Sequence, residues 1–213
     1  MAGKITALRV QKKNNQRVNV YLDGEFAFGL AVIEAAKLHR GQYLSDEDIA
    51  LLREKDTRET AYERALNFLS YRPRSEAEVR RYLQDKQVPP SIQEEVVSRL
   101  TRAGLLDDHA FARYWVENRE RFKPRGVYAL RSELRQKGLS DAVIASALEN
   151  LDEEESAYRA AQQRVARWGH LDYQPFRRKL GAYLRRRGFA FETIEAVITR
   201  VWHELQAEGE HTW

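Results

Sequence analysis

The sequence predicts a mainly α-helical protein in which three tandem three-helix repeats, in a right-handed helical-repeat arrangement, follow a small N-terminal antiparallel β meander with covering helices. Three observations carry this reading. Val79-Arg80-Arg81-Tyr82-Leu83, Leu130-Arg131-Ser132-Glu133-Leu134 and Leu180-Gly181-Ala182-Tyr183-Leu184 fall in register at offsets of 51 and 50 residues, and a repeat of that period marks stacked helical units. Each is followed by a short breaker, an apolar residue (Val88, Leu139 or Phe189) and a second amphipathic run: Val96-Val97-Leu100, Ala147-Leu148-Leu151 or Val197-Ile198-Val201. The N-terminal part instead alternates apolar and polar residues, the period of a half-buried strand.

In order along the chain, residues 1–56 form the first element. Ile5 to Gln11 and Arg17 to Leu22 alternate, with Lys13-Asn14-Asn15-Gln16 as the turn between them. Asp23-Gly24 supplies a second tight turn before Glu25 to Gly29. Three short strands bury little by themselves, so helical segments at Val32 to Leu38 and Asp46 to Lys55 are expected to cover one face. Gly41 separates them, and Ser45 is placed to cap the second.

Residues 57–106 form the first repeat. Tyr62, Ala65, Leu66 and Leu69 mark its first helix, Tyr71-Arg72-Pro73-Arg74 the break, and Ser75-Glu76-Ala77-Glu78 a capping box that starts the second helix. Pro89-Pro90 is read as ending that helix. The second repeat, residues 107–154, uses Phe111, Tyr114 and Trp115, then Lys123-Pro124-Arg125-Gly126, then Leu130 and Leu134. Gly138 follows at a helix end, where the left-handed conformation favours glycine, and Gly188 stands at the same place in the third repeat, residues 155–207. The first repeat has Gln87 there. Asp152-Glu153-Glu154-Glu155 at the repeat junction reads as a helix start or a hinge, and 208–213 as a tail.

Composition narrows the function. A 213-residue chain with 43% hydrophobic residues can build cores. No run of eighteen apolar residues occurs, and Met1-Ala2-Gly3-Lys4 leads into the strand pattern without a signal-peptide core, so a cytoplasmic protein is expected. The absence of cysteine excludes disulfides, thiolate nucleophiles and cysteine-ligated zinc, and five scattered histidines suggest no metal site. His109 beside Asp107 and Asp108 lacks a nucleophile partner, and two acids before a helix are ordinary capping. Eleven separated glycines form no phosphate loop. The expectation is a binding protein, not an enzyme, with no cofactor.

The net charge is only +4, so its distribution decides more than its size. Residues 156–205 hold ten Arg or Lys against four Asp or Glu, whereas 101–155 hold nine against eleven. The candidate binding residues are therefore basic ones around the second helix of each repeat: Arg72, Arg74, Arg80, Arg81 and Lys86 in the first, and Arg119, Arg121, Lys123, Arg125, Arg131, Arg135 and Lys137 in the second. The third contributes Arg177, Arg178, Lys179, Arg185, Arg186 and Arg187. At 3.6 residues per turn, positions 178, 181, 185 and 188 share a face while Leu180, Tyr183 and Leu184 turn to the core. Guanidinium groups suit phosphate or an acidic protein surface equally. Most aromatic residues recur at helical spacing and read as core; Phe122, Trp168 and Tyr173 are open to base stacking as well.

Gly104-Leu105-Leu106-Asp107-Asp108-His109-Ala110-Phe111-Ala112-Arg113-Tyr114, followed by Arg119, Pro124-Arg125-Gly126, Leu130, Glu133-Leu134 and Lys137-Gly138-Leu139, closely resembles the central signature of the RecX regulatory proteins. Arg74-Ser75-Glu76 with Val79-Arg80-Arg81-Tyr82-Leu83 looks like the preceding element of that signature. The likeness spans residues 60–205, and the meander with Arg17, Asn19, Tyr21, Asp23-Gly24 and Phe26 is similar to the longer members. It implies three tandem three-helix units that bind the RecA recombinase filament and interfere with its ATP hydrolysis, strand exchange and co-protease activity, or promote its disassembly. Single-stranded DNA, or else duplex, is an expected partner, weakly or through the filament, and the protein is expected to be a monomer without membrane contact. Three-helix units with short turns also resemble helix-turn-helix modules, so autonomous DNA binding is the rival reading.

Overall fold

In the computed structural model, which describes residues 2–12 and 14–210, the N-terminal alternation becomes an antiparallel sheet of β1 (Gly3–Gln11), β2 (Asn14–Leu22), β3 (Glu25–Ala31) and β4 (Tyr43–Leu44), ordered β3-β2-β1-β4. The short fourth strand pairs Leu44 with Gly3 and Tyr43 with Lys4, and two residues are too few for alternation to reveal them. Asp23 and Gly24 take φ of 47° and 97°, the pair of left-handed residues of a type I′ hairpin. Asn14 to Gln16, expected in the preceding turn, belong to β2; Lys13 lies outside the described residues.

One face of the sheet, with Ile5, Val20, Leu30 and Leu44, packs on Ala35 of α1 (Val32–Ala35) and Ile49 of α2 (Asp46–Ser70). The first helix ends four residues in and continues to Leu38 as turns closed by Lys37 N to Glu34 O and Leu38 N to Ala35 O bonds. Ser45 and Asp48 form a reciprocal capping box at the start of α2. This helix runs unbroken through the boundary drawn between residues 56 and 57, since no Gly or Pro interrupts 46–70. Its N-terminal half supports the sheet and its C-terminal half, with Ala61 and Ala65, joins the next core. Asp56 ties this helix to the sheet: its carboxylate accepts from Ala31 N at 2.9 Å and from Arg17 Nη2 at 2.7 Å, while Arg17 Nη1 donates to Thr60.

The remaining helices are α3 (Glu76–Asp85), α4 (Pro90–Arg102), α5 (Asp108–Phe122), α6 (Val127–Gln136), α7 (Asp141–Leu148), α8 (Glu153–Trp168), α9 (Tyr173–Arg186) and α10 (Phe191–Glu210). The last covers residues 208–210 of the expected tail; 211–213 lie outside the described residues. Two compact units result, residues 1–73 with 79–106 and residues 74–78 with 107–213. Each three-helix group has its own core. Leu83, Leu134 and Leu184, in one register of the repeat, are each fully buried at the centre of theirs.

Helix ends follow the sequence with one correction. Gly138 and Gly188 take φ of 84° and 81° as expected, and Gln87 adopts the same left-handed conformation at 57° despite its side chain. The prolines do not end α3: Pro89 is the N-cap and Pro90 the first residue of α4, where a missing N–H is tolerated and the fixed φ suits the helix. Asp107 caps α5 by accepting from His109 N and Ala110 N, and the Ala110 bond chiefly holds its carboxyl below the ordinary aspartate range. Asp152 caps α8, so the acidic run at 152–155 is a helix start, where carboxylates suit the dipole.

Candidate partner-binding surface

Two of the predicted basic residues mark a junction that occurs twice in the second unit. At the start of α3, Ser75 Oγ donates to Lys137 O at 2.6 Å and Glu76 N to Asp108 Oδ1 at 2.8 Å. At the start of α6, Gly126 N donates to Arg187 O at 3.0 Å and Val127 N to Glu153 Oε1 at 2.8 Å. In both, the residue that caps a middle helix bonds the carbonyl ending the next middle helix, and an acid at the start of the intervening helix takes one of the orphan N–H groups. The glycines make this approach possible, because a Cβ at Gly138 would overlap Ala77 and one at Gly188 would overlap Ala129. Lys137 also pairs with Glu78 at 2.8 Å and lies over the Trp115 ring. Arg187 Nη1 donates to Pro124 O at 2.9 Å.

Several other predicted residues serve the fold. Glu133 accepts from Trp115 Nε1 at 2.8 Å and Arg119 Nε at 2.7 Å, with Arg125 Nε 3.5 Å away, near enough for charge attraction but outside hydrogen-bond geometry. Arg80 pairs with Glu94, Arg135 with Asp141 and Arg177 with Glu195, and these bonds hold Glu94 below its ordinary range and Arg177 above its own. Lys86 lies over Tyr82 and Arg121 over Phe122. Arg72 Nη1 donates to Pro73 O, Arg74 is half-buried and Arg81 exposed.

Lys123, Arg131, Arg178, Lys179, Arg185 and Arg186 are different: they are exposed, and among the described residues they make no side-chain ion pair or hydrogen bond. Four of them belong to α9, where Arg178, Arg185 and Arg186 border an open groove of about 760 Å³ whose floor is Gly181 and Ala182. A shallower depression lies on the same face of α6, fifty residues earlier, bordered by Arg131 and Arg135 around Ser132. A basic face thus recurs on α6 and α9, with Arg131 its open cation on α6, where Arg135 is paired with Asp141. Phe191, 63% exposed, stands at the groove margin; its place in the periodic pattern disguises this, since the first residue of a helix need not face the core. Phe122 is also exposed, at 61%; Trp168 packs edge-on against Tyr183, and Tyr173, exposed as well, meets the Trp202 ring at a tilt.

Comparison with known proteins matches four segments of the chain. Family profiles match residues 3–45 as the regulatory protein RecX N-terminal domain, and 61–100, 107–148 and 152–198 as the first, second and third RecX three-helix domains. The chain belongs to the RecX family. It is 32% identical over 211 residues to the regulatory protein RecX of Bacillus subtilis (strain 168), covering 97% of this chain and 80% of that one. It is 34% identical to the RecX of Oceanobacillus iheyensis, covering 97% and 83%. A crystal structure of a regulatory protein RecX superposes with a TM-score of 0.70 at 29% identity, covering 92% of this chain and 98% of the other. That of RecX from Lactobacillus salivarius superposes at 0.62 and, at 24% identity over 68% of this chain and 97% of the other, supports the fold. RecX chains are named as regulators, and among the described residues no helix is long and apolar enough to cross a membrane.

Proposed function

We propose that this RecX-family chain is a non-enzymatic regulator that binds the RecA filament on DNA and modulates, mainly by inhibiting, its ATP hydrolysis, strand exchange and co-protease activity. It acts stoichiometrically, as a monomer, in the cytoplasm. The observation that carries the reading is the recurrence of one open basic face on the middle helices of successive repeats, with Arg131 on α6 and Arg178, Lys179, Arg185 and Arg186 on α9 lacking carboxylate partners among the described residues. A partner that repeats along an axis meets such a surface at several points at once. Linked contacts raise avidity without requiring any single one to be strong.

The groove of α9, with its small floor, arginine walls and exposed Phe191, favours a second reading as an autonomous DNA-binding protein, because cations beside an aromatic ring suit a single strand. One experiment separates the two. RecA ATP hydrolysis on single-stranded DNA is measured while this protein is titrated, alongside its binding to the same DNA without RecA. Inhibition at concentrations that leave naked DNA uncovered supports filament binding. Unchanged hydrolysis at saturating protein, with naked-DNA binding that falls by about 0.7 log units per contacted phosphate for each tenfold rise in salt, replaces it with the second reading.

A further inference from the structure

The junction of α8, α9 and the α5–α6 connection gathers more positive charge than it neutralises. Arg187, just after α9, is half-buried, and its guanidinium carbon lies 4.8 Å from the centroid of the Tyr183 ring. Arg164 reaches in from α8 to 4.9 Å from the same centroid, so the two guanidinium carbons are separated by no more than the sum of those distances. Arg125 follows Pro124, whose carbonyl Arg187 holds. Burial makes Arg187 less basic than an ordinary arginine, and the charges of Arg125 and Arg164 lower it further against the opposing influence of Tyr183. The one carboxylate near Arg125, Glu133, has one oxygen 3.5 Å from Arg125 Nε and shares its charge with Arg119 and Trp115 through the other. Arg164 and Arg187 have no carboxylate partner among the described residues.

Within this cluster Tyr183 is only 7% exposed, and its hydroxyl has no hydrogen-bond partner; nor do the buried Nε atoms of Arg125 and Arg164. A buried polar atom left unpaired costs about 1–3 kcal/mol, and partly desolvated like charges oppose one another. Both penalties vanish if an oxyanion lies among them. The donors come from a loop and two helices, so they approach from several directions. Three guanidinium forks and a phenol match the several oxygens of a tetrahedral anion better than the two of a planar carboxylate.

We propose that Arg125, Arg164, Arg187 and the Tyr183 hydroxyl form a binding site for a phosphate group between the second and third repeats. It is separate from the α9–α10 groove, whose lining includes none of these four residues. The arginines are partly exposed, while the tyrosine is buried. Because its donors come from both repeats, an occupied site would bind the two together.

The test uses the full chain. Thermal unfolding is followed in sodium phosphate and in sodium chloride of equal ionic strength, for the wild type, Tyr183→Phe and Arg164→Gln. Tyr183→Phe keeps the ring that both arginines stack on, and Arg164→Gln keeps part of the aliphatic stem. The expected result is a melting temperature that rises with phosphate beyond the chloride control, with apparent affinity weakened about tenfold in each variant, the loss of one charge-assisted bond. Equal melting in the two salts for the wild type, which needs no variant to fold, overturns the proposal. So does the same phosphate response in wild type and both variants, which would leave the hydroxyl to water and the anion to exposed arginines. A short single strand without terminal phosphates then distinguishes sources: competition with phosphate supports a diester as the natural ligand, and its absence supports a free or terminal phosphate.

Discussion

The Ser75 hydroxyl donates to the backbone carbonyl of Lys137, 62 residues away, across 2.6 Å, while also accepting from Glu78 N at 3.2 Å. Ser75 is fully buried, so neither bond is exchanged for one to water. One hydroxyl thus caps its own helix and fixes the end of another. Ser75→Ala should remove both and cost about 2 kcal/mol, more than an exposed cap. Urea unfolding of the full chain checks this; a loss no larger than a few tenths of a kcal/mol would show that Lys137 O is satisfied without Ser75.

The left-handed helix ends allow predictions of opposite sign. Gln87→Gly should stabilise the protein by about 1 kcal/mol, because glycine reaches φ of 57° without the Cβ penalty that glutamine bears. Gly188→Ala should destabilise by more than about 2 kcal/mol, since it adds that penalty to an overlap with Ala129 and its backbone. The melting temperatures of the two variants should move in opposite directions.

The repeat period placed Leu83, Leu134 and Leu184 in their cores and Gly138 and Gly188 at helix ends, because periodicity and backbone conformation are local properties of sequence. The β4 strand and the unbroken α2 were less legible. Two residues carry no alternation, and the bonds of Asp56 to Arg17 and Ala31 reach 39 and 25 residues back. Asp108 and Glu153 read as ordinary helix-start acids, yet each caps a different helix. The open and the engaged arginines could not be told apart either. Arg177 and Arg178 are neighbours in sequence, but only Arg177 lies where Glu195 can reach it.

Asp108 gives a pH dependence whose sign is fixed by its shift. Burial raises its folded-state pKa above the ordinary 3.8, outweighing the bond from Glu76 N, and the charges of Glu76 and Asp107 push the same way. A raised carboxyl stabilises the fold fully below 3.8 and loses that contribution as pH rises through the folded value. Asp108→Asn keeps an acceptor for Glu76 N without the charge. It should therefore be more stable than wild type near neutral pH, with the gain vanishing well below 3.8. Chemical unfolding at the two pH values checks this, and a variant less stable than wild type at neutral pH would show that the charge itself is needed there.

The division of the arginines predicts which substitutions separate binding from folding. Arg119 and Glu133 are each largely shielded, and Trp115 shares the carboxylate, so Arg119→Ala should cost about 2 kcal/mol and lower the melting temperature. Arg178, Arg185 and Arg186 meet no acid among the described residues, so changing each to Gln should alter stability by no more than about 0.5 kcal/mol. If the α9 face carries the proposed contact, the triple variant should need at least about tenfold more protein to inhibit RecA ATP hydrolysis, equivalent to about 1.4 kcal/mol of binding. The difference from wild type should shrink as salt rises, because dissolved ions weaken the attraction between exposed charges. Paired melts and ATPase titrations across salt measure both properties on the same samples. Inhibition unaffected by the triple substitution would move the contact away from α9, toward Arg131 and Lys123 in the second repeat.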